Sequence, residues 1–228
     1  YPLRRQRQMC IRDRNKERLK QYGGKVRLYD GIRGWFRRIN AYGERRGILV
    51  EHYIISSGLR EIIEGTAIAK DFTHIYASSF YYNEHGEPCW PAQVINYTNK
   101  TQFLFRIEKG ILDINDNAVN DHFAEGELRV PFRNIVYIGD SATDIPCMRL
   151  VNSLGGHSVG VYDLENTDSK DTVCRMIRDE RIRYYVPADY TKGSEMDILI
   201  HRIIDKTAAY EVLEEKHLRD RKEAVAKY

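Results

Sequence analysis

The sequence predicts an α/β protein in which helices cover both faces of a parallel sheet. Short runs of apolar, largely β-branched residues alternate with stretches in which apolar residues recur every three to four positions. Strands that alternate with helices favour a parallel sheet, because parallel neighbours need a crossover connection. The chain has 228 residues, 42% of them hydrophobic and 30% charged, which is enough to bury one substantial core.

Each element follows from its local pattern. Ile32, Trp35, Phe36, Ile39 and Tyr42 have helical spacing, so we expect an amphipathic helix there. Short apolar runs predict strands at 52–55, 72–77, 135–138, 158–162 and 182–186. Further helices are expected after residue 58, over 100–107, around 148–151, around 173–177 and from residue 195 onward. The aromatic-rich stretch 80–97 surrounds Glu84-His85-Gly86-Glu87, which predicts a small β-hairpin insertion.

The charge distribution divides the chain into three parts. Residues 1–20 carry eight basic and two acidic side chains without apolar periodicity, so we predict a non-native or disordered basic leader. The alternative is a genuine basic arm, which could bind nucleic acid. The formal net charge of +3 comes from this leader, and we therefore expect no nucleic-acid partner for the rest of the chain. Residues 21–210 are expected to form the core, and 211–228 a charged C-terminal helix.

Two further classes of protein are not expected. No run approaches the roughly 18 apolar residues of a membrane span, so no membrane partner is predicted. The four cysteines are scattered and form no CxxC pair, which argues against a disulfide scaffold or a zinc site. Scattered thiols fit a reducing compartment, so we expect a cytoplasmic protein.

The strongest functional pattern is Gly139-Asp140-Ser-Ala-Thr-Asp144, directly after the predicted strand at 135–138. Ligands bind at the carboxyl ends of strands in open α/β sheets. Two carboxylates four residues apart, one at the strand end and one at the start of a helix, can face the same point. Oxygen ligands of this kind suit Mg²⁺. The alternative is a Gly-Asp turn in which Asp144 caps the helix.

Two other segments could bind phosphate. Ser56-Ser57-Gly58 follows the predicted strand at 52–55, so the Ser56 hydroxyl and the Ser57 and Gly58 amides could hold a phosphate at a helix start. A plain Ser-Gly turn is the alternative. Lys100 lies in the first turn of the predicted helix if Asn99 caps it. Cations are unfavourable at that end of a helix, which points to an anionic partner, and simple solvation of the lysine is the alternative.

Together these three segments resemble the later motifs of the haloacid dehalogenase superfamily, in the required order. The hairpin between the serine and the lysine is similar to the phosphoserine-phosphatase branch. The resemblance covers about residues 28–205. It implies a Rossmann-like core in which Asp140 and Asp144 hold Mg²⁺, Ser56 binds a phosphoryl oxygen, and Lys100 neutralises charge between the phosphoryl group and the nucleophile.

One family motif is not found. A strand ending in DxDG should precede the serine motif and lie centrally in the sheet, and no such segment occurs before Ser56. Asp13 and Asp30 are weak substitutes, because neither has the second carboxylate or a proper strand. We therefore expect a chain truncated at its N-terminus that lacks the first-motif strand and the cap.

The resemblance implies a Mg²⁺-dependent phosphatase that hydrolyses a small phosphorylated substrate through an aspartyl-phosphate intermediate in the intact parent. The chain itself is then expected to be inactive. The alternative is a non-catalytic domain of the same fold that binds phosphate or a partner.

Overall fold

The structure is a computed structural model that describes residues 15–226. It confirms the α/β fold class: two three-stranded sheets, each containing a parallel strand pair, are packed with helices. By internal contacts the chain divides into two units. The first contains the described residues 15–28 and 52–186, and the second contains residues 29–51 and 187–226.

The first sheet contains the predicted hairpin. Its strands are β1 (Tyr53–Leu59), β2 (His74–Tyr82) and β3 (Pro88–Gln93), in that spatial order. Strands β1 and β2 are parallel, and β2 and β3 are antiparallel. Where a turn was predicted, β1 continues through a bulge: Ser56 is opposite Ala77, but the next paired residue, Leu59, is opposite Ser78. The bulge therefore holds Ser57 and Gly58 out of the ladder.

The second sheet consists of β4 (Val136–Gly139), β5 (His157–Tyr162) and β6 (Tyr184–Pro187), also in that order. Strands β4 and β5 are parallel, with Tyr137 opposite Ser158. A single sheet was expected from the sequence. Two are found because no segment within residues 15–226 forms a strand between β1 and β4, so both are edge strands in this part of the chain.

The main helices, in chain order, are α1 (Lys16–Gly23), α2 (Ile32–Glu44), α3 (Arg60–Glu64), α4 (Thr101–Lys109), α5 (Ile145–Ser153), α6 (Thr167–Arg178) and α7 (Glu195–Ala226). Helices α2 and α7 belong to the second unit. None of the described helices has an apolar stretch long enough to cross a membrane.

Helix α4 joins the two hydrophobic clusters of the first unit. Its Phe103 packs with Tyr76 of β2, whereas the next residue, Leu104, packs in a cluster with Met148 of α5. Ile55 of β1 contacts both clusters. Because α4 is buried on two sides, its N-cap residue, Lys100, is held at a defined position.

The second unit is built on α2 and α7. The apolar side of α2 is buried at Trp35, Phe36 and Ile39, as its spacing predicted. The Arg38 guanidinium forms an ion pair of 2.9 Å with the buried Asp197 carboxylate. Asp30, a candidate nucleophile in the sequence, lies in this unit.

Most of the predicted leader, including residues 9–11 and Asp13, lies outside the described residues. Its last part forms the start of α1, which Asn15 caps by accepting a hydrogen bond of 2.8 Å from the Arg18 amide. Leu19 in this helix is buried.

Candidate functional site

A buried ion pair lies at the carboxyl end of β4. The Lys100 ammonium donates to Asp144 Oδ1 at 2.7 Å, and the two residues are 5% and 6% exposed. Lys100 immediately precedes α4, and Asp144 immediately precedes α5. Two charges at this depth persist only when each satisfies the other. The fold thus brings together a lysine and a carboxylate that lie 44 positions apart in sequence.

Lys100 occupies a different helix position from the predicted one. Asn99 was expected to cap α4, but the cap position is Lys100 itself. The Asn99 side chain instead accepts from the Asn96 amide at 2.8 Å and donates to the Val94 carbonyl at 2.9 Å. Asn99 therefore stabilises the loop before the helix, and Lys100 occupies the N-cap position.

Two more hydrogen bonds hold the Asp144 carboxylate. The Tyr137 hydroxyl donates to Oδ1 at 2.9 Å, and the Ser141 hydroxyl donates to Oδ2 at 3.1 Å. Asp144 stands at the cap position of α5, yet its side chain makes no capping hydrogen bond. The capping alternative therefore does not describe this carboxylate, because both of its oxygens accept from side chains instead.

Gly139 explains how the carboxylate fits. A Cβ atom at this position would lie 2.8 Å from both Cβ and Cγ of Asp144, closer than real side chains approach. Only glycine lets the carboxylate lie directly against the strand. The glycine that precedes Asp140 thus makes room for the side chain of Asp144, which lies four residues after Asp140 in the sequence.

Burial fixes the protonation of two neighbouring groups. Burial raises the pKa of the Tyr137 phenol far above its usual range, and the nearby Asp144 charge adds to this. Tyr137 is therefore a permanent hydrogen-bond donor. Burial also raises the pKa of the Cys147 thiol to about 11. A thiol with that pKa is protonated at neutral pH, which excludes Cys147 as a thiolate nucleophile.

The other predicted site residues lie at strand ends near solvent. Asp140 directly follows β4 and is exposed, and its carboxylate makes no hydrogen bond or ion pair within residues 15–226. The half-buried Ser56 accepts a 3.0 Å hydrogen bond on its Oγ from the Gly58 amide. The Ser56 hydroxyl proton remains available to a ligand, but the Gly58 amide is engaged. No hydrogen bond within the described residues joins the Lys100–Asp144 pair to the remaining predicted residues, Ser56, Ser57, Gly58 and Asp140.

Asp140 and Asp144 are the carboxylates that the sequence predicts to hold magnesium. Within the described part of the chain, no group of three or more His, Cys, Asp or Glu residues could hold a metal ion. Mg²⁺ commonly uses one or two carboxylates and completes its shell with water and substrate oxygens. The solvent-exposed Asp140 is available for that role, whereas each oxygen of Asp144 already accepts a hydrogen bond. Asp140 is therefore the residue with a free carboxylate that could contact a hydrated Mg²⁺ ion.

Sequence reasoning missed Tyr137 and Ser141. Tyr137 was taken as one more apolar strand residue, although a phenol in a buried strand needs a hydrogen-bond partner. That requirement, together with an acidic residue just beyond the strand, could have identified it. Ser141 had no distinguishing feature in the sequence, because its role depends on the loop conformation before α5.

Comparisons with known proteins identify the family of the chain. The family model for haloacid dehalogenase-like hydrolases matches residues 4–149, which is more than half of the chain and includes Ser56, Lys100, Asp140 and Asp144. An uncharacterized protein of Borreliella burgdorferi is 25% identical over 191 residues. The matched region covers 76% of this chain and 65% of that relative. The chain therefore belongs to the haloacid dehalogenase-like hydrolase family.

Proposed function

We propose that this chain is the core of a Mg²⁺-dependent phosphatase that, in the intact protein, hydrolyses a small phosphomonoester through an aspartyl-phosphate intermediate. The observation that carries the proposal is the buried Lys100–Asp144 pair. An ammonium group has three N–H donors, and Asp144 takes one of them. The others can bind phosphoryl oxygens, which is the charge stabilisation that phosphoryl transfer requires.

The chain's own residues divide the work. The Ser56 hydroxyl donates to a phosphoryl oxygen, because its acceptor side is already used by Gly58. Lys100 balances the charge that gathers between the phosphoryl group and the nucleophile. Asp140 and Asp144 hold Mg²⁺, Asp140 directly and Asp144 directly or through water. When bound, the ion neutralises charge on a phosphoryl oxygen.

The nucleophile is the remaining part of the proposal. No DxDG segment precedes Ser56, and the chain spans about 65% of the length of its B. burgdorferi relative. We propose that the printed chain binds phosphate without turning over a phosphate ester. Asp30 lies in the second unit, and Asp13 lies outside the described residues.

The missing DxDG segment also favours a second candidate, a non-catalytic domain of the same fold that binds phosphate or a partner. The two candidates differ in what a restored first motif would do. With the DxDG strand supplied, an enzyme hydrolyses an aryl phosphate with Mg²⁺, and a binding domain does not.

The free thiols Cys89, Cys147 and Cys174 support the proposal of a reducing, cytoplasmic setting.

The test begins with inorganic phosphate and the chain as printed, using calorimetry with and without Mg²⁺. We expect binding that Lys100→Met weakens at least about tenfold, since it removes a full charge–charge contact. Asp140→Asn should abolish the Mg²⁺ dependence. Lys70→Met and Asp168→Asn are matched controls at exposed positions. They should change neither the phosphate affinity nor its dependence on Mg²⁺. Equal phosphate affinity of wild type and Lys100→Met would refute the site. Mg²⁺-dependent hydrolysis of p-nitrophenyl phosphate by the printed chain would show that it contains a nucleophile, contrary to the proposal.

A further inference from the structure

We infer that Tyr137 is a positioning residue: its hydroxyl fixes the orientation of Asp144 and thereby the place of the Lys100 ammonium. The inference rests on the proposed function and deepens it, because it adds to the site a residue outside the serine, lysine and aspartate motifs. Tyr137 acts through Asp144 and makes no proposed contact with phosphate.

The position of Tyr137 in the strand is unusual for its chemistry. Parallel strands buried on both faces are typically lined by aliphatic residues. Tyr137 instead places an aromatic ring in the core cluster beside Cys147 and Met148. A buried phenol destabilises the fold unless its hydroxyl finds a partner. The partner it finds is Asp144 Oδ1, at 2.9 Å.

The hydroxyl contacts the same oxygen atom that holds the lysine. Lys100 Nζ and the Tyr137 hydroxyl both donate to Asp144 Oδ1, at 2.7 and 2.9 Å. Ser141 holds the other oxygen at 3.1 Å, and Gly139 lies against the carboxylate carbon. Contacts on both oxygens and on one face define the plane of the carboxylate group.

Among these donors, the tyrosine is the rigid one. A lysine reaches its partner over a flexible four-carbon stem, so its ammonium goes where the carboxylate directs it. Ser141 lies on the loop between β4 and α5. The Tyr137 ring, only 8% exposed, is fixed by core packing. Without the phenolic oxygen, Asp144 can rotate about its Cβ–Cγ bond, and Lys100 moves with it.

The test compares Tyr137→Phe with Tyr76→Phe in the chain as printed. Both changes remove one buried phenolic hydroxyl, but the Tyr76 hydroxyl donates to the Leu112 carbonyl at 2.9 Å and touches nothing at Asp144. Proton–nitrogen NMR of the lysine ammonium groups, assigned with Lys100→Met, reports hydrogen exchange of Lys100 with water. We expect exchange to quicken at least about fivefold in Tyr137→Phe and to stay unchanged in Tyr76→Phe, because a released ammonium gains access to water.

A second readout is the dissociation constant for inorganic phosphate. We expect Tyr137→Phe to weaken binding about fivefold, which is less than the loss caused by Lys100→Met, and Tyr76→Phe to leave it unchanged. Unchanged exchange at Lys100 in Tyr137→Phe would overturn the inference, and so would equal effects of the two phenylalanine variants. Failure of the wild type to bind phosphate would overturn the proposed function, while the exchange measurement, made without phosphate, still decides the role of Tyr137.

The unmutated chain supplies a test that needs no folded variant. Two donors that meet at one oxygen place the Tyr137 hydroxyl proton next to the Lys100 ammonium protons. A slowly exchanging hydroxyl proton with a nuclear Overhauser contact to that ammonium supports the arrangement. Absence of this contact in an otherwise assigned spectrum overturns it.

Discussion

The two sheets of the first unit differ most in how their strands are buried. In the second sheet the middle strand β5 is buried at all six positions, whereas in the first sheet the middle strand β2 is fully buried only at Tyr76 and Ala77. Strand β1, at the edge of the first sheet, has no fully buried residue. The second sheet is therefore well shielded from solvent at its middle strand, whereas the first sheet is more exposed to solvent.

The difference shows how the site is assembled. The residues expected to bind phosphate and metal stand at the ends of the edge strands β1 and β4, where the carboxyl ends are open to ligands. Lys100, which is proposed to act with them, is held in place because α4 packs into the clusters of both sheets. Exposed groups such as Asp140 can meet a ligand, while the buried Lys100–Asp144 pair keeps its geometry without one.

The largest expected effect concerns the unpaired strand edges. A strand between β1 and β4 would bury about four or five aliphatic side chains, a contribution on the order of 6–15 kcal/mol. Within residues 15–226 no strand makes that contribution. We expect the chain, expressed alone, to form soluble self-associated species through these edges while each sheet stays folded, since unpaired edges are templates for pairing with other chains. Size-exclusion chromatography and thermal melting measure this directly.

A monomer with a cooperative melt above about 45 °C, ordinary for a mesophilic domain, would contradict this expectation. It would mean that the first sheet is stable with an open edge. Supplying the DxDG strand should give a monomer, and serves as the matched comparison.

The next effect is on the ion pair. Asp144→Asn leaves the Lys100 ammonium buried without a counter-charge, and Lys100→Met does the same to the carboxylate. Each change should lower the free energy of unfolding by about 3–5 kcal/mol. The double variant should lose less than the sum, because it leaves no uncompensated charge. Urea unfolding measures all three. Strict additivity would show that the two groups do not depend on each other.

The sequence predicted much of this fold because its strands and helices have strong local patterns. The spacing of Trp35, Phe36 and Ile39 predicted α2, and the apolar run at 135–138 predicted β4. The bulge at Ser57 was not predictable, because it depends on the register between β1 and β2. The partners of Asp144 were also out of reach, since they come from three elements that meet only in the folded chain.

A smaller effect is expected from the difference in burial between β5 and β4 of the second sheet. Val159 lies in β5 and is fully buried, whereas Val136 lies in the edge strand β4 and is half-buried. Val159→Ala should cost about 2–3 kcal/mol, from two lost methyl groups and the cavity they leave. Val136→Ala should cost about 1 kcal/mol or less, because water already reaches the site. Equal losses in chemical unfolding would show that β4 is as well covered as β5.

The last expected effect is a pH dependence that arises next to the first sheet. Burial lowers the pKa of His52 from 6.5 to about 4, although the Asp71 charge works in the opposite direction. The unfolded chain therefore binds a proton between pH 6.5 and 4 that the folded chain does not. Stability from this histidine is fully present above pH 6.5 and falls as the pH drops toward 4. The loss between about pH 7.5 and pH 5 should be roughly 2 kcal/mol.

His52→Gln should remove that part of the pH dependence, and His85→Gln, at an exposed hairpin position, should leave it intact. Urea unfolding at several pH values measures both variants. If His52→Gln follows the wild-type profile, other groups cause the acid sensitivity of this unit and the imidazole is better hydrated than its position suggests.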